Sequence, residues 1–290
     1  MSMPDIWGIA AIITKLMLYI GFAGSTGLVI VKCLYSSLVT PMNLVMKRQA
    51  RALAWLALTA TVVGFMLSAA VLTGGADGMV DPEMLGLLWQ TPAGDVLAYR
   101  LAGAALILIG LSISRFGCWI AAVGGTLALW SFTQIGHVPE LENFGVQLLL
   151  LLHLLCLAFW VGIFTPLRGM ALKVEYQKNG AELGQRFGKA AALVVPTMIL
   201  AGLWMAWSLV GNIQWLVFTG YGQALLSKVF LVGLLLILAA ANKLRFVPAM
   251  HNGDANAARH LARSIEVEAI IVLMVLATSA TLTTVLTPPN

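Results

Sequence analysis

A histidine, a cysteine and a tryptophan stand at positions 153, 156 and 160 of an otherwise apolar run, QLLLLLHLLCLAFWVG. Residues three, four and seven apart share a helical face, so His153, Cys156 and Trp160 line one stripe. A ring nitrogen and a thiol in hydrocarbon are costly unless paired or liganded, which makes such a stripe a candidate functional site. The plainer reading is a packing stripe in which His153 hydrogen-bonds a neighbouring helix. The chemistry these side chains suit is metal binding, because thiolate and thioether sulfur select Cu(I) and imidazole also suits Cu(II). Further donors are His137, in a short loop with Glu140 and Glu142, and Met205, with Met198 two turns deeper on the same face. Met17, Met66 and Met274 lie in other apolar stretches. Methionines in such a chain are mostly packing residues, and only the coincidence with two histidines gives them weight.

Other chemistries are less well supplied. Haem held by two histidines would consume both His137 and His153, because His251 and His260 fall in a hydrophilic segment. Proton or ion coupling has Glu266 and Glu268 at the start of the last apolar stretch, with Asn242 near the end of the one before. Carboxylates in a first helical turn also complement the dipole, which gives Glu266 a structural reading, paired with Arg263 or Lys243. No nucleotide-binding loop, nucleophile elbow or zinc-protease motif occurs, so no enzyme class is indicated. Cys33, Cys118 and Cys156 show no CxxC or paired spacing, and the expectation is neither a disulfide framework nor a zinc site.

The elements that carry these residues must be membrane helices. Hydrophobic residues make up 60% of the chain, charged residues 10%, and the mean hydropathy is +0.92. A soluble domain would have about a quarter of its residues charged. Eight stretches reach the length of about 20 apolar residues that a bilayer requires. They run at approximately 7–31, 52–72, 96–114, 118–135, 145–167, 190–210, 224–247 and 266–287. The expected architecture is all-α, a single polytopic membrane domain over 1–290 with eight transmembrane helices. The first span, preceded by Asp5 and no basic stretch, reads as a retained helix.

Charge orients the bundle. Lys32, Lys47, Arg48, Arg51, Arg115, Arg168, Lys173, Lys178, Arg186, Lys189, Lys243, Arg245, Arg259 and Arg263 follow the odd-numbered spans, which puts fourteen of the 17 basic residues on one face. The positive-inside rule makes that face cytoplasmic and turns both termini outward. Anionic lipid suffices as the partner of those charges, and no nucleic acid is implied. The outer loops carry Asp77, Asp81, Glu83, Glu140 and Glu142, an acidic field that gathers cations without specific ligation. Arg100 and Lys228 lie about a turn below the outer surface, where long cationic side chains snorkel to phosphates or set the electrostatics of an entry cavity.

Thr91-x-x-Gly94-x5-Arg100 and Thr219-x-x-Gly222-x5-Lys228 open the third and seventh spans. They mark two parallel four-helix repeats, about 1–140 and 141–290, related by an axis along the membrane normal. The same alignment sets Lys15 opposite His153.

Taken together, several motifs resemble the CopD/PcoD copper-resistance family of bacterial inner-membrane proteins. They are Gly136-His137, the His153-x6-Trp160-x-Gly162 run, Arg186-Phe187, Thr219-x-Tyr221-Gly222 with Lys228, Asn242 followed by Pro248, Glu268, and Pro288-Pro289. Thr91, Gly94 and Arg100 fit the family's third-span pattern. The resemblance implies a copper ion, Cu(I) or Cu(II), carried across or transferred at the bacterial inner membrane from the periplasmic side. His137 and His153 are the ligands it carries over, with Cys156 or Met205 as soft partners and Met198, Asn242 and Glu268 along the passage. A periplasmic CopC-like carrier is the implied partner, expected as a separate chain. The competing readings are a haem-bearing membrane redox protein and a non-transporting scaffold for such a carrier.

Overall fold

A computed structural model describes residues 5–113, 116–137 and 143–289. All regular structure among them is helical, as hydrocarbon demands of a chain that must satisfy its backbone within each segment. Helix α1 spans Ile6–Leu34, its first turn capped by Asp5, whose carboxylate accepts from the Gly8 amide at 2.8 Å. Helix α2, Asn43–Thr73, ends where Gly74 turns into the left-handed region. A short α3, Pro82–Trp89, leads into α4, Pro92–Gly110, which is followed by α5, Gly117–Trp130. Helix α6 covers Phe144–Gly162 and a brief α7 covers Phe164–Ala171. The long α8, Gln177–Val210, contains Pro196. A short α9, Ile213–Phe218, precedes α10, Gly220–Ala241. A π-helical turn at Asn242–Phe246 joins α10 to α11, Val247–His251, and α12 closes the chain over Ala255–Leu282.

Among the described residues seven helical segments are long and apolar enough to cross a membrane. The stretch read as a fourth span is a shorter apolar helix, Gly117–Thr133, in which α5 finishes as a 3-10 turn. Thr91 and Thr219 play the same part in the two halves. Each caps a long helix that a short one precedes, accepting from Ala93 and Gly222 respectively.

Helix α1 is the centre of the bundle and packs on α2, α5, α6 and α12. Its residues 21–29 are buried without a break, as a helix surrounded on all sides requires. The approach of α6 is closest where Gly27 meets Gly162. A Cβ on Gly27 would lie 2.0 Å from the Ala158 carbonyl oxygen, so only glycine lets the two backbones touch there. On the far side of α6 a second buried cluster joins Cys156 and Trp160 to Met198 of α8, Leu235 of α10, and Ile271, Val272, Val275 and Leu276 of α12. The outward faces of α8 and α10 expose Leu193, Leu200, Trp204, Phe230 and Ile237, apolar side chains suited to lipid.

Two sequence-based expectations are corrected. Cys33 and Cys118, expected to be unpaired, stand in bonding contact at a Cα–Cα distance of 5.9 Å, a pair that a disulfide can join. They are 85 residues apart, and only the packing of α1 on α5 brings them together. Glu266 pairs with Arg168 at 2.5 Å, not with Arg263 or Lys243, because α7 lies against α12.

Candidate functional site

Helix α6 delivers His153, Cys156 and Trp160 to the interior formed with α8, α10 and α12. The Nδ1 atom of His153 lies 2.9 Å from the main-chain oxygen of Met198. A carbonyl can only accept, so Nδ1 carries the proton and Nε2 keeps its lone pair. That arrangement fixes the tautomer of a metal-binding imidazole. The ring rests on Gly202, where a Cβ would come within 3.2 Å of Cε1. One turn along, Cys156 is a free thiol and only 7% exposed. The Met198 side chain is buried in the same cluster as Cys156. Cys156 and the Met198 side chain share this cluster, and His153 lies one turn from Cys156 on α6; imidazole nitrogen and soft sulfur are donors that suit Cu(I). Among the described residues no group of three or more His, Cys, Asp or Glu gathers, so methionine is needed to complete any such set.

A turn further, α6 reaches a second polar group. The Trp160 indole N–H donates to Glu268 Oε2 at 3.3 Å, and the Asn242 amide donates to Glu268 Oε1. Glu268 is 3% exposed. Asn242 is also buried, and its Oδ1 has no hydrogen-bond partner among the described residues. Asn242 opens the π-helical turn, a distortion frequent at functional sites. Beside these residues lies a cavity of about 270 Å³ lined by Trp160, Phe187, Gly188, Asn242, Lys243 and Glu268 among others.

The remaining candidates lie elsewhere. His137 Nε2 is 3.0 Å from the Leu286 main-chain oxygen, and its ring meets Tyr221 edge-on at 6.0 Å. His137 and His153 thus bond to different segments, the first to the stretch after α12 and the second to α8. Met205 packs with Val146, Leu149 and Leu150. Arg100 donates to Ser131 at 3.1 Å and lies over the Phe132 ring, while Lys15 donates to the Thr283 main-chain oxygen at 2.8 Å. Lys228 is half-buried. Asp81 caps α3, and Asp77 and Glu83 are exposed. Glu140 and Glu142 lie outside the described residues. Sequence reasoning gave no role to Gly202 or to the indole of Trp160. The His153-x6-Trp160 spacing, two turns on one face, was the available signal for the latter.

Two family models match the chain. Residues 3–143 fit the copper resistance protein D-like N-terminal domain, and residues 181–282 fit copper resistance protein D. The chain belongs to the copper resistance protein D family. His137 falls in the first matched range and Met198, Asn242 and Glu268 in the second, while His153, Cys156 and Trp160 lie between the two. Copper resistance protein D of Pseudomonas syringae pv. tomato is 28% identical over 256 residues, covering 80% of this chain and 82% of that protein. The copper transport protein CutJ of Bacillus subtilis is 28% identical over 220 residues, and the match spans 70% of this chain but only 38% of CutJ. The inner membrane protein YebZ of Escherichia coli is 25% identical over 285 residues, 93% of this chain and 94% of YebZ. No solved structure matches. With its apolar helices, this member of the copper resistance D family is a multi-pass membrane protein.

Proposed function

We propose that the protein carries copper across the bacterial inner membrane, taking it up from the periplasmic side. The observation that carries this reading is the imidazole of His153, held by the Met198 main-chain oxygen one helical turn from the buried thiol of Cys156, inside the apolar bundle of a copper-resistance family chain. In the proposed topology the short helix Gly117–Thr133 is an eighth crossing. The fourteen basic residues then face the cytoplasm, and both termini face the periplasm. Asp77, Asp81, Glu83, Glu140 and Glu142 raise the cation concentration at the entrance, where a CopC-like carrier would deliver its copper. His137 receives copper near the entrance, with Met205 on the way to the His153 group. From there the passage runs along α6 towards the cavity beside Asn242 and Glu268. The halves act as two parallel repeats, and Lys15 takes in the first the place that His153 takes in the second.

Metal analysis and an absorption spectrum of the purified protein test this. Bound copper that is lost in His153→Ala, with copper flux into liposomes that falls in the same variant, is the expected result. Unchanged copper binding and flux in His153→Ala and Cys156→Ser would overturn the site. A Soret band would assign the histidines to haem instead.

A further inference from the structure

Glu268 is a carboxyl group held in the bundle interior by two neutral donors, the Trp160 indole and the Asn242 amide. The charged and titratable groups around it are few. From α6 the neighbour is Trp160, from the π-helical turn Asn242 and Lys243, and from α8 the cavity wall is apolar. On α12 itself Glu266 is taken up by Arg168 of α7 at a surface where both side chains are nearly half exposed. Lys243 is the other charged residue lining the cavity, and among the described residues no ion pair joins it to Glu268. A buried carboxyl with no cationic partner must gain a proton or hold its charge through hydrogen bonds alone.

The surroundings serve both forms. Ionised, Glu268 accepts from the indole and the amide, as seen. Protonated, it needs an acceptor for its new O–H. The Asn242 Oδ1 atom, buried beside the same cavity and without a partner among the described residues, supplies one once the amide turns over. Asn242 begins the π-helical turn between α10 and α11, so the amide that faces Glu268 sits where α10, α11 and α12 meet.

We propose that Glu268 is the proton-carrying group of this membrane domain, exchanging one proton with the basic face through the adjoining cavity as copper crosses. No electron moves. The proton leaves the Glu268 carboxyl for water in the cavity, and the carboxylate then accepts from Trp160 and Asn242. The substrate named is thus the proton, and the inference rests on the copper-carrying reading for its partner ion.

The test uses the full chain in two preparations. In liposomes with an entrapped pH dye and Cu(I) kept reduced, wild-type protein is expected to move protons with copper. Glu268→Gln, which keeps shape and donors, is expected to bind copper as wild type does but to lose the copper-driven proton signal. Copper flux without proton movement in wild type, or an unchanged proton signal in Glu268→Gln, overturns the proposal and leaves the copper reading standing. In detergent, an infrared pH titration should show a protonated carboxyl C=O band that Glu268→Gln removes and Asn242→Ala shifts. If no copper moves, the copper-carrying reading fails, and the band then reports only whether Glu268 exchanges a proton. Absence of a titrating band assigned to Glu268 overturns the proton role.

Discussion

The Nδ1 nitrogen of His153 and the main-chain oxygen of Met198 lie 2.9 Å apart, across the contact between α6 and α8. This bond orients the imidazole, and Gly202 is what lets the ring lie there. Gly202→Ala would place a methyl group 3.2 Å from Cε1 and 3.5 Å from Nδ1, so the ring must give by a few tenths of an ångström and its bond to the carbonyl weakens. Loss of such an orienting contact typically lowers metal affinity about 10- to 100-fold. The expected outcome is a drop of that order in Cu(I) affinity, measured by competition with a chromophoric chelator. Expression and helix content should stay near wild type, because the added group meets a side chain rather than backbone. Affinity equal to wild type would show that the His153–Met198 bond serves packing alone.

Trp160 and Glu268 make the second relationship that joins α6 to α12. Trp160→Phe keeps an aromatic ring in the cluster with Leu235 and Ile271 but removes the indole N–H. A buried acceptor deprived of a donor costs about 1–3 kcal/mol. Thermal unfolding in detergent should register that loss, and Glu268→Gln in the Trp160→Phe background should recover part of it, since the two changes are coupled through one bond. Equal and additive losses would show that the bond contributes nothing.

Two acids two residues apart behave differently. Glu266 meets Arg168 at the surface, with side-chain exposures of 47% and 44%. Exposed pairs of this kind contribute about 0–1 kcal/mol. Glu266→Gln should therefore leave unfolding temperature and copper flux within error of wild type, while Glu268→Gln alters function. A severe defect in Glu266→Gln would place the functional acid on the wrong residue.

How much of this was legible beforehand follows from what a local pattern can encode. Apolar runs of sufficient length mark helices, so α1, α2, α4, α6, α8, α10 and α12 were readable from hydropathy. Periodicity put His153, Cys156 and Trp160 on one stripe of α6, and the structure turns that stripe to α8, α10 and α12. Tertiary partners are another matter. That His153 meets Met198 rather than His137 depends on how α8 crosses α6, which no spacing within either helix encodes. The same holds for Arg168 and Glu266, and for the 85-residue separation of Cys33 and Cys118. The π-helical turn at Asn242 carries no strong local signal, since Asn-Lys-Leu-Arg-Phe fits an ordinary helix equally well.

The Cys33–Cys118 pair tests the proposed orientation. Cys33 follows Lys32 in the last turn of α1, and Arg51 of α2 donates to the Leu111 main-chain oxygen at 3.2 Å. The pair thus lies at the basic end of α1 and α5. A cytoplasmic compartment keeps thiols reduced, whereas a periplasmic one oxidises them. The proposed topology therefore predicts that both cysteines react with a membrane-permeant maleimide in intact cells. It also predicts that they join into the disulfide, at the 5.9 Å Cα separation that bridging allows, once the isolated membranes are oxidised. Non-reducing gels of Cys156→Ser protein, with acid trapping of thiols at lysis, read both states. A disulfide already complete at the moment of trapping would set the basic face against the oxidising compartment, turn the termini to the cytoplasm, and reverse the side from which copper is proposed to enter.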